Sequence, residues 1–195
     1  MRVAAVILAA GASRRLGQPK QLVRFHGETL LERALRVVRE AGIDRVFVVL
    51  GAYAERIESA VQMGDAFVVR NAAWESGMAS SVHTGMDAVR AQMPDAEAVM
   101  LLVCDQPRLT AAHLLRLMDA ARPGSIVASA YDGVPGVPAL FPTSAFARLM
   151  ELRGDAGARS LLKNDSVVTV AFEEGAIDVD TEEDLRRIES DPSIG

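Results

Sequence analysis

The chain has 195 residues, half of them hydrophobic and about a quarter charged, with a net charge of −5. That length suits one domain spanning 1–195, with a full sheet covered on both faces, and an acidic chain without a basic stripe excludes nucleic acid as the expected partner. The single cysteine, Cys104, excludes an intramolecular disulfide and fits a reducing cytoplasm. The lack of a leader-like start or an 18-residue apolar run argues against membrane insertion.

Val3 to Leu8 is an uncharged, β-branched run that predicts a central strand buried on both faces. It breaks into Ala9-Ala10-Gly11-Ala12-Ser13, residues too small to obstruct a ligand near the backbone, and then into Arg14, Arg15 and Lys20. Small residues, glycine and concentrated positive charge at a strand end suit a polyphosphate. The spacing Gly11, Gly17, Lys20 matches neither the P-loop nor the dinucleotide-binding glycine pattern, which weakens a kinase or dehydrogenase reading.

Further along, Leu31, Ala34, Leu35 and Val38 predict a helix over Thr29 to Ala41, stopped by Gly42. Strands are expected at Arg45 to Leu50, Ala66 to Arg70 and Ala98 to Val103, with a helix near Ala54 to Val61 and another marked by Val82, Met86 and Val89. Leu114, Leu117, Met118 and Ala121 mark a helix stopped by Pro123-Gly124. Strands follow at Ser125 to Ala130 and Val137 to Phe141, then short helices near Ser144 to Met150 and Ala156 to Leu162, and a late strand at Ser166 to Ala171. Thr181-Glu-Glu-Asp184 resembles a capping box that opens a last helix with Leu185 and Ile188 inward; the tail from Ser190 to Gly195 is expected to fray. The alternation predicts an α/β fold: three layers around a mostly parallel, Rossmann-like sheet.

In such a sheet ligands sit beyond the carboxyl ends of the strands, where Gly11, Asn71 and Asp105 all fall. Asp105 suits a Mg²⁺–triphosphate, since Mg²⁺ takes one or two carboxylates together with phosphate oxygens; the alternative is a turn-capping aspartate. Asp178 and Asp180 point the same way if Ala176 to Asp180 is extended, and Asp180, before a helix start, is the second candidate metal ligand. Lys20 and Arg14 are candidate phosphate contacts, set against the common fate of solvated loop cations. Arg15, Arg24 and Arg33 read as surface residues. Asn71 offers a donor and an acceptor for a base edge, Gly77 a close backbone approach, and Ser81 a phosphate contact or a helix cap; Trp74 either packs or stacks. The three histidines lack metal-ligand spacing, and Cys104 reads as a buried small hydrophobe.

Several of these segments carry a resemblance. Leu8-Ala-Ala-Gly-Ala-Ser-Arg-Arg-Leu-Gly-Gln-Pro-Lys20 is similar to the LAAGxSxRMGxxK signature of nucleotidyltransferases related to molybdenum-cofactor cytidylyltransferase and the MobA-like proteins, with Leu16 in place of Met. Asn71-x-x-Trp-x-x-Gly-Met-x-x-Ser81, Cys104-Asp-Gln-Pro107, Gly136-x-Pro138, Gly154-Asp-x-Gly157 and Ile177-Asp-Val-Asp-Thr-x-x-Asp184 follow in the family's order, over nearly the whole chain. The resemblance implies a glycosyltransferase-A-like nucleotidyltransferase fold that joins CMP from CTP to the phosphate of a molybdopterin-type cofactor and releases pyrophosphate. It places Leu8, Ala9, Ala10, Gly11, Ser13, Asn71, Gly77, Ser81 and Asp105 around the nucleotide, and Mg²⁺ on Asp105 and Asp180. Lys20, Arg14 and Asp105 are its catalytic set. Gly136, Pro138, Gly154, Asp155 and Gly157 are expected on the pterin side. A recipient molybdenum hydroxylase is the implied partner; another phosphorylated acceptor, such as a sugar phosphate, or a pure molybdopterin-delivering maturation protein are the alternatives.

Overall fold

The computed structural model describes residues 1–163, 167–176 and 178–189. The central strand β1 (Val3–Ala9) leads through a loop into a two-stranded ribbon, β2 (Arg24–Phe25) and β3 (Glu28–Thr29), and then into α1 (Leu30–Glu40). There follow β4 (Arg45–Leu50), α2 (Ala54–Ala60), β5 (Phe67–Arg70), α3 (Met78–Gln92), β6 (Ala98–Val103), α4 (Ala111–Asp119), β7 (Val127–Tyr131), β8 (Val134–Pro142), α5 (Phe146–Met150), β9 (Val168–Ala171) and α6 (Glu182–Glu189). One seven-stranded sheet runs in the order β5-β4-β1-β6-β8-β7-β9, with β8 antiparallel to both its neighbours and the other pairings parallel.

Both faces of this sheet are buried, which explains why its strands read as unbroken apolar runs. Along β1, Ala5 and Ile7 join a core with Leu35, Ile57 and Leu114 from α1, α2 and α4. Ala4 and Val6, on the opposite face, join Val82 and Met86 of α3 and Leu149 of α5. α1 begins on a full capping box: Glu32 N donates to Thr29 Oγ1 at 3.1 Å, and Thr29 N donates to Glu32 Oε2 at 2.8 Å. The expected box at α6 also forms, with Asp184 accepting from the backbone and hydroxyl of Thr181 at 2.8 Å.

The ribbon β2–β3 is the element that periodicity does not reveal. Its strands are two residues long, and its turn, His26-Gly27, holds both residues at positive φ (50° and 87°), the backbone of a tight hairpin. α4 ends at Asp119, ahead of Ala121 and the Pro123 stop; of the two expected short helices the first forms as α5 after a 3₁₀ turn at Thr143–Ala145, and the second is a 3₁₀ helix at Ala158–Lys163. Ser166, the side chains of Leu185 and Ile188, and the tail from Ser190 to Gly195 lie outside the described residues. Among the described residues no helix is long and apolar enough to cross a membrane.

A buried polar chain pins α4 to the sheet. Ser129 donates its hydroxyl to Pro138 O at 2.7 Å, so the 2.7 Å contact from His113 Nε2 to Ser129 Oγ is a donation by the ring. His113 Nδ1 then accepts from Arg116 at 3.1 Å, and the ring stacks on Phe172. Burial, and then the charge of Arg116, push the His113 pKa down to about 4. The folded chain therefore refuses a proton that the unfolded chain takes up below 6.5, and this contribution to stability is complete above that pH and is lost as pH falls towards 4. Between pH 7 and pH 5 the wild type should lose on the order of 2 kcal/mol relative to His113→Gln, from about 1.4 kcal/mol per pH unit below the unfolded pKa. Urea melts of both proteins across that range measure it; a difference that does not change with pH contradicts the assignment.

Candidate active site

The carboxyl ends of the parallel strands open onto a cavity of about 460 Å³. Leu8 at the end of β1 and Ala10, Gly11, Ala12, Ser13 and Arg14 of the first loop line it, with Gly77, Met78 and Ser81 from the start of α3, Val103 and Asp105 from the end of β6 and the loop after it, and Lys20, Trp74, Glu75 and Asp155. Most of the expected nucleotide-side residues thus meet in one place.

A charge cluster sits against that cavity. Lys20 Nζ is hydrogen-bonded to Asp105 Oδ2 and lies 3.3 Å from Asp180 Oδ1. Arg15, exposed as expected from the sequence, donates to the other oxygen of Asp180 at 2.8 Å. Burial lowers the proton affinity of Lys20, but the charges of Asp105 and Asp180 raise it overall, so the ammonium keeps its proton. Asp178 is pushed up to about 6, first by burial and then by the negative charges of Asp105 and Asp180. Lys20 and Arg15 thus pair with Asp105 and Asp180, and Asp178 adds a further acidic group nearby. Asp105 Oδ1 is buried with no hydrogen-bond partner. Among the described residues no three acidic, histidine or cysteine side chains converge to hold a metal alone. Two carboxylates, one with an unpartnered buried oxygen, fit a Mg²⁺-like ion that takes its remaining ligands from phosphate and water. Cys104 is buried and its thiol is pushed up to about 12, first by burial and then by Asp105, which makes it inert.

A satellite core brings these distant residues together. Leu16 of the first loop, Val23, Phe25 of the ribbon, Leu30 and Val179 bury one another. Val179 N also donates to Asp105 O at 2.9 Å. Leu16 and Val179 are neighbours in sequence of Arg15 and Asp180, so their burial aligns the two charged groups. Arg33, expected as a surface residue, donates to Pro107 O at 2.5 Å and lies over the Phe25 ring, tying α1 to the loop that carries Asp105.

The model of the MobA-like NTP transferase domain matches residues 5–170. The chain belongs to this family. It is 32% identical to the nicotine blue oxidoreductase of Paenarthrobacter nicotinovorans over 95% of this chain and 96% of that one. It is 35% identical to a probable molybdenum cofactor guanylyltransferase of Opitutus terrae, over 82% of this chain and 75% of that one. Rv0371c from Mycobacterium tuberculosis H37Rv superposes with a TM-score of 0.86 at 32% identity, over 98% of this chain and 99% of that one. The same protein has been solved in complex with manganese, at a TM-score of 0.78 and 31% identity over 98% of this chain and 100% of that one.

Within this MobA-like domain some expected site residues occupy other places. Asn71 is buried and committed to its own loop: its amide nitrogen donates to Ser80 and Ser81 at 2.8 and 3.0 Å, and its oxygen accepts from Ala73 N at 2.9 Å. It shapes the loop that presents Trp74 and Ser81 and lies outside the main cavity, in a shallower cleft behind Trp74. Trp74 therefore packs as the wall between the two. The residues expected on the pterin side divide. Gly136 and Pro138 are buried in β8, with Gly136 against the Tyr131 ring. Gly154, Asp155 and Gly157 lie instead over the start of α3: Ala79 N donates to Gly154 O at 3.0 Å, Gly157 abuts Met78, and Asp155 lines the same cavity as Gly11. Gln21, which the sequence did not single out, is wholly buried beneath the first loop.

Gly77 is where these segments touch. Its φ is +109°, and a Cβ there would fall 2.3 Å from the Gly154 carbonyl carbon and oxygen. Gly77→Ala should destabilise the domain by about 2 kcal/mol or more, from backbone strain plus a backbone clash. Urea denaturation reads this; a loss below about 0.5 kcal/mol, the range of neutral surface changes, would show that the Gly154 loop is not seated on α3.

Proposed function

We propose that this protein transfers CMP from CTP to the terminal phosphate of a molybdopterin-type molybdenum cofactor, releasing pyrophosphate. The observation that carries the reading is the Lys20 ammonium shared between Asp105 and Asp180 beside a cavity floored by Ala10, Gly11 and Ala12. A carrier that only delivers a cofactor has no need of paired carboxylates with an unpartnered oxygen, and hydride transfer does not require them. The molybdenum cofactor guanylyltransferase named among the relatives supports the acceptor class.

Asp105 and Asp180 would hold Mg²⁺, which would supply positive charge to the phosphates. Peptide N–H groups of the first loop meet phosphate oxygens, and Lys20 and Arg14 take up the charge that grows on the departing pyrophosphate. The acceptor phosphate is already a nucleophile: one of its oxygens bonds to the α-phosphorus as the bond to the β-phosphate oxygen breaks. No general base is needed, so catalysis is positioning plus electrostatic stabilisation. Ala10 supports the choice of cytosine. It lines the cavity, is 5% exposed, and its methyl narrows the space that a purine would take. One methyl discriminates by about 1–3 kcal/mol, so the preference is leaky. The chain would act as one domain in the cytoplasm, with a molybdenum hydroxylase as recipient of the product.

A panel of CTP, GTP, ATP and UTP with Mg²⁺ and molybdopterin-type or sugar-phosphate acceptors, scored for pyrophosphate, tests this. CTP with the molybdopterin acceptor should be fastest, Ala10→Gly should narrow its lead over GTP without reversing it, and Asp105→Asn should be inactive. A wild type that prefers GTP removes the cytidylyl assignment; release of no pyrophosphate with any pair removes the transferase reading.

A further inference from the structure

We propose that Gln21 is a positioning residue that sets the direction of the phosphate-binding peptides in the first loop; this rests on the nucleotidyl-transfer reading. Gln21 is 0% exposed, in the 3₁₀ turn Lys20–Leu22. Its amide nitrogen donates to Ala9 O at 2.6 Å and to Gly11 O at 3.2 Å, spanning the two carbonyls on either side of Ala10. In a trans peptide the C=O and the following N–H point in opposite directions. With the Ala9 and Gly11 carbonyls turned in towards Gln21, the N–H groups of Ala10 and Ala12 turn away from it, and both of those residues line the cavity. One side chain thus orients two donors at once. The same turn anchors the far end of the loop, since Lys20 N donates to Ser13 Oγ at 3.1 Å.

Stability alone does not account for an amide here. Gln21 Oε1 is buried with no hydrogen-bond partner, a cost that an apolar side chain of the same size avoids. What an apolar residue lacks is the pair of N–H groups that hold Ala9 and Gly11. A carboxylate is worse, because its oxygens would face two carbonyl oxygens and force at least one peptide to turn. Protonation would return a single donor.

Calorimetric titration with inorganic pyrophosphate, and separately with cytidine and guanosine, of the wild type, Gln21→Met and Gln21→Glu tests the assignment, with a urea melt of each protein. Both variants should weaken pyrophosphate binding at least tenfold while changing the affinity of whichever nucleoside the wild type binds by less than twofold. Relative to wild type at each pH, Gln21→Glu should recover part of the loss as pH is lowered and Gln21→Met should not. Pyrophosphate affinity within twofold of wild type in both variants overturns the role. So does a parallel loss of pyrophosphate, nucleoside and unfolding free energy, which marks a purely structural residue. Failure of turnover on every nucleotide would sink the transferase reading and leave these binding ratios unmoved, so the two failures are distinguishable.

Discussion

An ammonium from one end of the chain, held between a carboxylate from its middle and one from its other end, is the constraint on which this site depends. Lys20 comes from the first loop, Asp105 from the end of β6 and Asp180 from the start of α6. Bringing two acidic groups together at the rim of an apolar sheet is unfavourable unless a cation shares them. The protein supplies one ammonium, reinforced by the exposed Arg15, and still leaves an oxygen of Asp105 unpartnered. Such a cluster keeps its geometry and still has one buried carboxylate oxygen to offer a further cation. A phosphate chain arriving with a divalent ion changes both sides of that balance, because it offers Lys20 a new anion and the carboxylates a new cation.

The geometry is maintained from behind by packing. The parallel strands β1 and β6 run in register, with Leu8 beside Val103, so the loops that follow them bring Gly11 and Asp105 to the same cavity. The carboxyl-terminal segment has no such register to follow. It is placed by the small core of Leu16, Val23, Phe25, Leu30 and Val179, and by the hydrogen bond from Val179 to Asp105. Loss of apolar volume at Val179 would therefore be felt as a misplaced carboxylate at Asp180, at no cost to the central sheet.

Much of this was legible in the residues. Two-sided burial turns strands into continuous apolar runs, so β1, β4 and β6 could be bounded to within a residue, and the ligand edge followed from their order. Asp105 and Asp180 stood out because a charge at the end of an uncharged strand, or just ahead of a helix cap, has a local signature, and Lys20 because it clusters with other cations beside the small residues of the first loop. Gln21 and Arg15 had none, since their roles arise from partners 10 to 165 positions away. The ribbon is too short for any periodicity. Asn71 misled for a related reason: its donor and acceptor fit a base as well as they fit a loop, and only the positions of Ala73, Ser80 and Ser81 show that the loop uses them.

Anomalous diffraction from crystals soaked with Mn²⁺, with and without a non-hydrolysable CTP analogue, tests the central claim most directly. With the analogue, a manganese peak is predicted in bonding contact with both Asp105 and Asp180, with the Lys20 ammonium moved from Asp105 onto phosphate. A peak that touches neither carboxylate, or a Lys20 that remains on Asp105 with the analogue bound, would contradict the account.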